Sequence, residues 1–195
     1  MLVLYKKLVP SEIQLLPPVK NAKVYKSGII YNEASEDLVV QTPRVKVTKN
    51  ENVSFNLKFS MIKKGEFLTF LEELEEKIVS IIHKKSEIFF NGKTFSEIEI
   101  RDSLKSTFSL SNDGIVSVNN VVFDSNLKIL DFFSEELLEQ DLNDDSICTA
   151  ILKFDSVSFI KNSININVRL LRLKKCFEKG KVEDCIFEDD DVTDL

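Results

Sequence analysis

Between Val53 and Ser60 apolar and polar side chains alternate strictly, with Val53, Phe55, Leu57 and Phe59 on one face and Ser54, Asn56, Lys58 and Ser60 on the other. Successive side chains leave a strand on opposite sides, so this stretch predicts a strand with one buried and one polar face. Upstream, Leu38 to Val47 reads as a strand that starts apolar and ends with Val45 and Val47 on one face and Arg44 and Lys46 on the other. Pro43 within it has no N–H for a ladder, which places that part at a sheet edge or a bulge, where backbone is free to meet a ligand. Lys23 to Tyr31 alternates too, and Gly28 marks a bulge or a close backbone approach. Joined by turns, these three strands make an antiparallel meander. The first twenty residues, with Pro10, Pro17 and Pro18, read as an extended arm packed across the domain.

From Glu66 to Lys85 the period changes. Phe67, Phe70, Leu71, Leu74, Ile78, Ile81 and Ile82 form a helical stripe, glutamates load its first half, and Lys84 and Lys85 close it, as the helix dipole favours. Gly65 ends the strand before it. Asn91-Gly92 marks a turn, and Thr94-x-x-Glu97 and Ser96-x-x-Glu99 are capping boxes for a short helix to about Lys105. Asn112-Asp113-Gly114 centres a hairpin whose return strand is Ile115 to Phe123. Residues 129–142 predict an acidic amphipathic helix, over about 131–142, covering one end of the sheet. Cys148 to Phe154 and Val157 to Ile160 return to β, and Lys161-Asn162-Ser163 turns the chain. Ile164, Ile166, Val168 and Leu170 then alternate with Ser163, Asn165, Asn167 and Arg169. This last strand ends in Arg172, Lys174 and Lys175, apolar on one side and cationic on the other.

Charge changes the picture more than composition does. The 195 residues carry a net charge of −6, which by itself argues against a polyanion as partner. Its distribution argues otherwise: residues 1–64 carry +6, residues 65–147 carry −11, residues 148–182 carry +6 and residues 183–195 carry −7. A cationic face made by the first and third blocks would attract phosphates whatever the total.

Other chemistries find little support. Cys148, Cys176 and Cys185 are few, odd in number and unpatterned, which suits a reducing compartment better than a disulfide scaffold. His83 is the sole histidine and reads as a surface position in the last turn of the long helix, so neither a structural zinc site nor a catalytic triad is expected. The five glycines are not spaced as a phosphate loop, and no carboxylate pair or activated nucleophile stands out. No cofactor, no metal and no catalysis are expected. No run of about 18 apolar residues suggests a membrane span, and the N-terminal ten residues do not read as a signal peptide.

Several short motifs together resemble a known family. They are Gln41-Thr42-Pro43 followed by Arg44 and Lys46, the Phe-x-x-Phe-Leu-x-x-Leu-Glu helix of Phe67 to Glu75, the Phe89-Phe90 pair, the Phe123-Asp124 step, and the Ile/Asn-rich final hairpin. Over roughly residues 23–175 the chain resembles the single-stranded DNA-binding proteins of nucleocytoplasmic large DNA viruses, of the asfarvirus and giant-virus type. The resemblance implies an α+β fold: one OB-like antiparallel β-barrel over residues 1–182, with helices inserted at about 66–85 and 131–142, and a disordered acidic tail over 183–195. Such barrels bind single strands with little sequence preference, through a cationic groove and aromatic rings. The matched motif offers Arg44 and Lys46 as phosphate contacts. Geometry adds Tyr25, Tyr31 and Lys58 on neighbouring strands, and Lys23, Lys26, Lys63, Lys64, Arg169, Arg172, Lys174 and Lys175 complete the set from the two basic blocks. With no tryptophan present, stacking would rest on Tyr and Phe, and most of the 15 phenylalanines are core.

The tail, with Glu188, Asp189, Asp190, Asp191, Asp194 and Leu195, is acidic and ends on an apolar residue. The resemblance implies that it occupies the groove when DNA is absent and recruits replication proteins when the groove is filled, and a solvated terminus is the plain alternative. The expected partner is single-stranded DNA, with RNA and homo-oligomerisation left open, inside a reducing compartment: host cytoplasm, viral factory or nucleus. Two other classes compete, a viral structural or scaffold protein and a protein-interaction module that keeps the barrel without the groove.

Overall fold

The computed structural model describes residues 2–21, 24–32, 34–50, 54–112, 114–131, 133–138, 142 and 146–176. In chain order its elements are β1 (Leu2–Leu4), β2 (Ile13–Leu15), β3 (Val19–Asn21), β4 (Val24–Tyr31), β5 (Glu36–Gln41), β6 (Val45–Asn50) and β7 (Ser54–Ser60). Then come α1 (Met61–Lys84), α2 (Ser86–Phe89), α3 (Glu97–Ser103), β8 (Leu104–Lys105), β9 (Phe108–Leu110), β10 (Ile115–Leu130), β11 (Glu136–Leu137), β12 (Ser146–Ile160) and β13 (Ser163–Lys175).

Strand β12 organises the sheet. On one side it pairs antiparallel with β13 across the turn at Lys161 and Asn162. On the other it meets three partners in succession: β6 at Ser146–Cys148, β5 at Ile151–Phe154 and β4 at Ser156–Phe159. β6 pairs onward with β7, β7 with β10, and β10 runs parallel to β13. The result is a mainly-sheet α+β fold with a few helices, consistent with an OB-like arrangement. It is mixed rather than wholly antiparallel, because β1–β5, β8–β13 and β10–β13 are parallel pairs. The β10–β13 pair is parallel because the chain crosses through β11 and β12 before returning alongside β10.

The long helix forms on the expected stripe. Phe67, Phe70, Leu71, Leu74, Ile78 and Ile82 are buried, and the Phe70 ring meets Phe154 of β12 edge-on at 5.7 Å between centroids. At roughly 1.5–3 kcal/mol for each large apolar side chain buried, this stripe outweighs any local preference in fixing the helix to the sheet. The helix begins at Met61, earlier than expected, and Gly65 lies inside it rather than ending the strand. Ser96 caps α3 with the expected capping box to Glu99.

Three expectations need correction. The stretch Leu38 to Val47 is not one strand. Thr42 to Arg44 break it into β5 and β6, which pair with the same β12; the expected antiparallel pairings are present as β4 with β5 and β6 with β7, but no single middle strand joins them into one meander. Pro43 is buried and sits at no sheet edge; of the two expected settings it has the bulge, since Thr42 to Arg44 lie opposite only Thr149 and Ala150 of β12. Beside it Thr42 closes the ladder: its N–H donates to the Ala150 carbonyl (2.8 Å), and its hydroxyl oxygen accepts from the Ala150 N–H (3.0 Å). The helix expected over 131–142 is also absent among the described residues there. Ile129 and Leu130 belong to β10, and Glu136–Leu137 fold back on them as β11. The Asp131 carboxylate accepts from the Glu135 N–H (2.9 Å), and Ser134 takes a positive φ of 67°. A short acidic side chain thus gives the backbone a turn that competes with a helix.

Candidate nucleic-acid interface

Two irregularities in the β12–β13 ladder decide which side chains face outward. Phe154 pairs with Val168 and Ser156 with Asn167, so Asp155 is an extra residue on β12; Ile151 pairs with Arg172 and Leu152 with Leu170, so Leu171 is an extra residue on β13. Each such bulge shifts the alternation by one. Along β13 up to its own bulge the alternation is unbroken: Ile164, Ile166, Val168 and Leu170 enter the core, leaving Asn165, Asn167 and Arg169 on the outer face.

An open groove of about 660 Å³ runs over that face. Its floor is uncharged: the Asn167 amide donates to Ser156 Oγ (3.0 Å), and the Ser158 hydroxyl lies 3.4 Å from Asn167 Oδ1 and from the Asn165 carbonyl. Lys26 of β4, Lys105 of β8 and Arg169 supply positive charge, and Asp155 supplies a carboxylate. The Lys105 wall is braced from behind by Glu75 of α1. Its Oε1 accepts from the Thr107 N–H (2.7 Å), the Thr107 hydroxyl (2.8 Å) and the Ser106 hydroxyl (3.0 Å). Arg101 of α3 binds Glu76 of α1 through two hydrogen bonds and Glu97 at 3.1 Å. Its guanidinium holds the Glu76 carboxyl below its ordinary range. The Ser96 hydroxyl and N–H do the same for Glu99.

Around the end of the β12–β13 hairpin lies a second hollow, of about 960 Å³. Tyr25, Phe89, Phe90, Phe95 and Phe159 line it with Lys93 and Lys161. Its rings pack on one another, Phe90 against Phe95 at 4.6 Å and against Phe159 at 5.8 Å. Tyr25 is 42% exposed, and Lys20 Nζ lies 5.9 Å from its ring centroid. His83, in the last turn of α1, is exposed and has Nδ1 3.1 Å from the Phe95 carbonyl.

The structure brings together Lys26 and Arg169 in the groove and places Tyr25 in the adjoining hollow. Lys46 is exposed on β6, opposite the backbone position of Lys58 on β7, and away from the groove lining. Arg44 is half-buried beside the Pro43 break, and Lys175 is half-buried at the end of β13.

Three candidates are buried and bonded within the fold. Tyr31 is 5% exposed, burial raises its hydroxyl pKa, and its oxygen accepts from the Val9 N–H at 3.2 Å. Arg172 and Lys174 are each 4% exposed. The bulge at Leu171 turns them under the β10–β11 segment, where Arg172 Nη1 donates to the Asn126 carbonyl (3.3 Å) and Lys174 Nζ donates to Ser134 Oγ (2.9 Å). Lys23, the side chains of Lys58, Lys63 and Lys64, and the tail residues Glu188, Asp189, Asp190, Asp191, Asp194 and Leu195 lie outside what the structure describes.

Sequence reasoning missed Lys105, Ser158, Asn165 and Asn167 as groove residues. The Ile-Asn-Ile-Asn run of 164–167 carried a signal for the last two, since uncharged amides on the outward face of a strand are ready hydrogen-bonding groups.

No family model matches the sequence, and no curated protein matches it significantly. Among solved structures, the single-stranded DNA-binding protein from bacteriophage Enc34 superposes with a TM-score of 0.51 at 15% identity, over 87% of this chain and 96% of that one. The same phage protein in complex with single-stranded DNA aligns at 0.49 and 14% identity, over 86% and 97%. Its C-terminal truncation aligns at 0.49 and 13%, over 86% and 95%, so the shared fold rests on the first superposition. This chain has the fold of a bacteriophage single-stranded DNA-binding protein.

Proposed function

We propose that the chain is a non-catalytic, sequence-tolerant single-stranded DNA-binding protein. The observation that carries this reading is the open groove on the outer face of β12 and β13, an uncharged hydrogen-bonding floor between Lys26, Lys105 and Arg169. Phosphates supply most of the affinity in such sites, and a hollow with exposed aromatic surface nearby gives unstacked bases a place to lie. The shared fold with the phage protein supports the same class. The circuit β6–β7–β10–β13–β12 and back to β6, with its single parallel pair, supports an OB-like barrel as the scaffold.

The reading extends to one domain over residues 1–182 and an acidic tail over 183–195 that recruits replication proteins. It places the protein in viral DNA replication, repair or recombination, within a reducing compartment of an infected cell. The motifs from Gln41 to Lys46 and from Phe67 to Glu75 favour a large DNA virus, while the structural neighbours come from a bacteriophage. Titration of a fluorescent oligo-dT by anisotropy at low and moderate salt tests the reading. The expected result is binding that weakens steeply with salt, and no binding at low salt refutes it.

A further inference from the structure

We propose that Asp155 sets the affinity of the groove, holding Arg169 in the free protein as a stand-in for the phosphate that displaces it. This inference rests on the reading of the groove as a single-strand site. Asp155 is the unpaired residue of the β12 bulge, and bulges re-aim side chains out of the normal alternation. Here the bulge puts Asp155 and Ser156 together against the outer face of β13. Asp155 Oδ2 lies 3.3 Å from Arg169 Nη2. On the other flank, where the register of β10 against β13 breaks after Phe123, Asp124 Oδ2 lies 3.7 Å from Arg169 Nη1. The other cation near Asp155 is committed elsewhere: Lys153 Nζ is 2.6 Å from Asp37 Oδ2 and 4.0 Å from Asp155 Oδ1. Asp155 therefore has Arg169 as its nearest charged partner, with the Ser156 hydroxyl donating to the same oxygen at 3.2 Å.

A carboxylate and a phosphate present a guanidinium with the same two-oxygen face. Phosphate binding at Arg169 thus exchanges one oxyanion for another instead of pairing a bare cation. The displaced carboxylate is then left in the field of the strand, where it draws a solvent cation. Both effects lower affinity and flatten its salt dependence.

The test uses the full chain and a fluorescent oligo-dT at several salt concentrations, with Asp155→Asn, Arg169→Ala and the double variant. For a half-exposed pair, Asp155→Asn should tighten binding about two- to fivefold, and its salt slope should steepen. In the Arg169→Ala background the same substitution should bring a clearly smaller gain, because the exchange at the guanidinium is gone and only the carboxylate's own field remains. Weaker or unchanged binding by Asp155→Asn overturns the inference, and so does an equal gain in the Arg169→Ala background, which would mark a general effect of charge. A wild-type chain that binds no oligo-dT overturns the functional reading and this inference together; binding indifferent to Asp155 overturns the inference alone.

Discussion

Replacing Lys26, Lys105 and Arg169 together with alanine removes the cations that line the groove while leaving its floor and the core untouched. For single strands the slope of log affinity against log salt is about −0.7 for each phosphate neutralised, so three contacts account for a slope of about 2. Exchange with Asp155 reduces the share of Arg169, which puts the expected loss between about 1.4 and 2. Over a fourfold rise in salt, a slope difference of about 1.4 to 2 is a factor of about 7 to 16: the wild type should lose about that much more affinity than the variant. Anisotropy titrations of a labelled oligo-dT from about 50 to 200 mM salt measure this directly. Equal slopes for the two proteins, at any affinity, would show that phosphates are bound elsewhere and refute the placement of the interface.

The other predictions concern the scaffold. Thr42→Val keeps the shape but leaves the Ala150 N–H without its side-chain acceptor, and should cost about 1–3 kcal/mol in urea denaturation. Phe154→Ala, at a side chain with no exposure, should cost about 3–5 kcal/mol by the same measurement. Tyr31→Phe should leave oligo-dT affinity unchanged and lower stability by about 0.5–1.5 kcal/mol through the lost Val9 bond; a loss of affinity would return Tyr31 to the interface. Glu76 and Glu99 have lowered carboxyl pKa values in the fold, so their stabilisation is present above the ordinary carboxylate range and is lost as pH falls through the lowered values. Urea midpoints should therefore fall with acidification through that window, and Glu76→Gln with Glu99→Gln should flatten the fall.

Strand β7 and helix α1 were legible because each writes its own period into the chain, two for Ser54–Ser60 and 3.6 for Phe67 to Ile82. The bulges at Asp155 and Leu171 were not, since a bulge is a property of two strands in register and either strand alone reads as continuous. Alternation alone would set Arg172 and Lys174 opposite Arg169; the Leu171 bulge returns them to its side, where the β10–β11 segment covers them, and neither effect is written in the strand itself. The proline in Gln41-Thr42-Pro43 did announce a break, but not that one long strand would lie along both halves of it. Residues 129–142 fit a helical stripe until β10 claims Ile129 and Leu130. Asn165 and Asn167 were legible as an outward face, whereas Lys105 joins them only through the pairing of β8 with β13.

The dependence of β4, β5 and β6 on β12 has a consequence for biosynthesis. Gln41 pairs with Ile151 and Val45 with Cys148, so the N-terminal strands emerge from the ribosome roughly a hundred residues before their partner. Contacts this distant in sequence form late and slowly, and strand edges left waiting are open to association with other chains. The β12–β13 hairpin, closed by a short turn between Ile160 and Ser163, can form locally as soon as it is made. Local pairs such as β6 with β7 can form earlier, but the sheet is completed only when β12 arrives, so nascent chains stalled before Ser146 should be the aggregation-prone species.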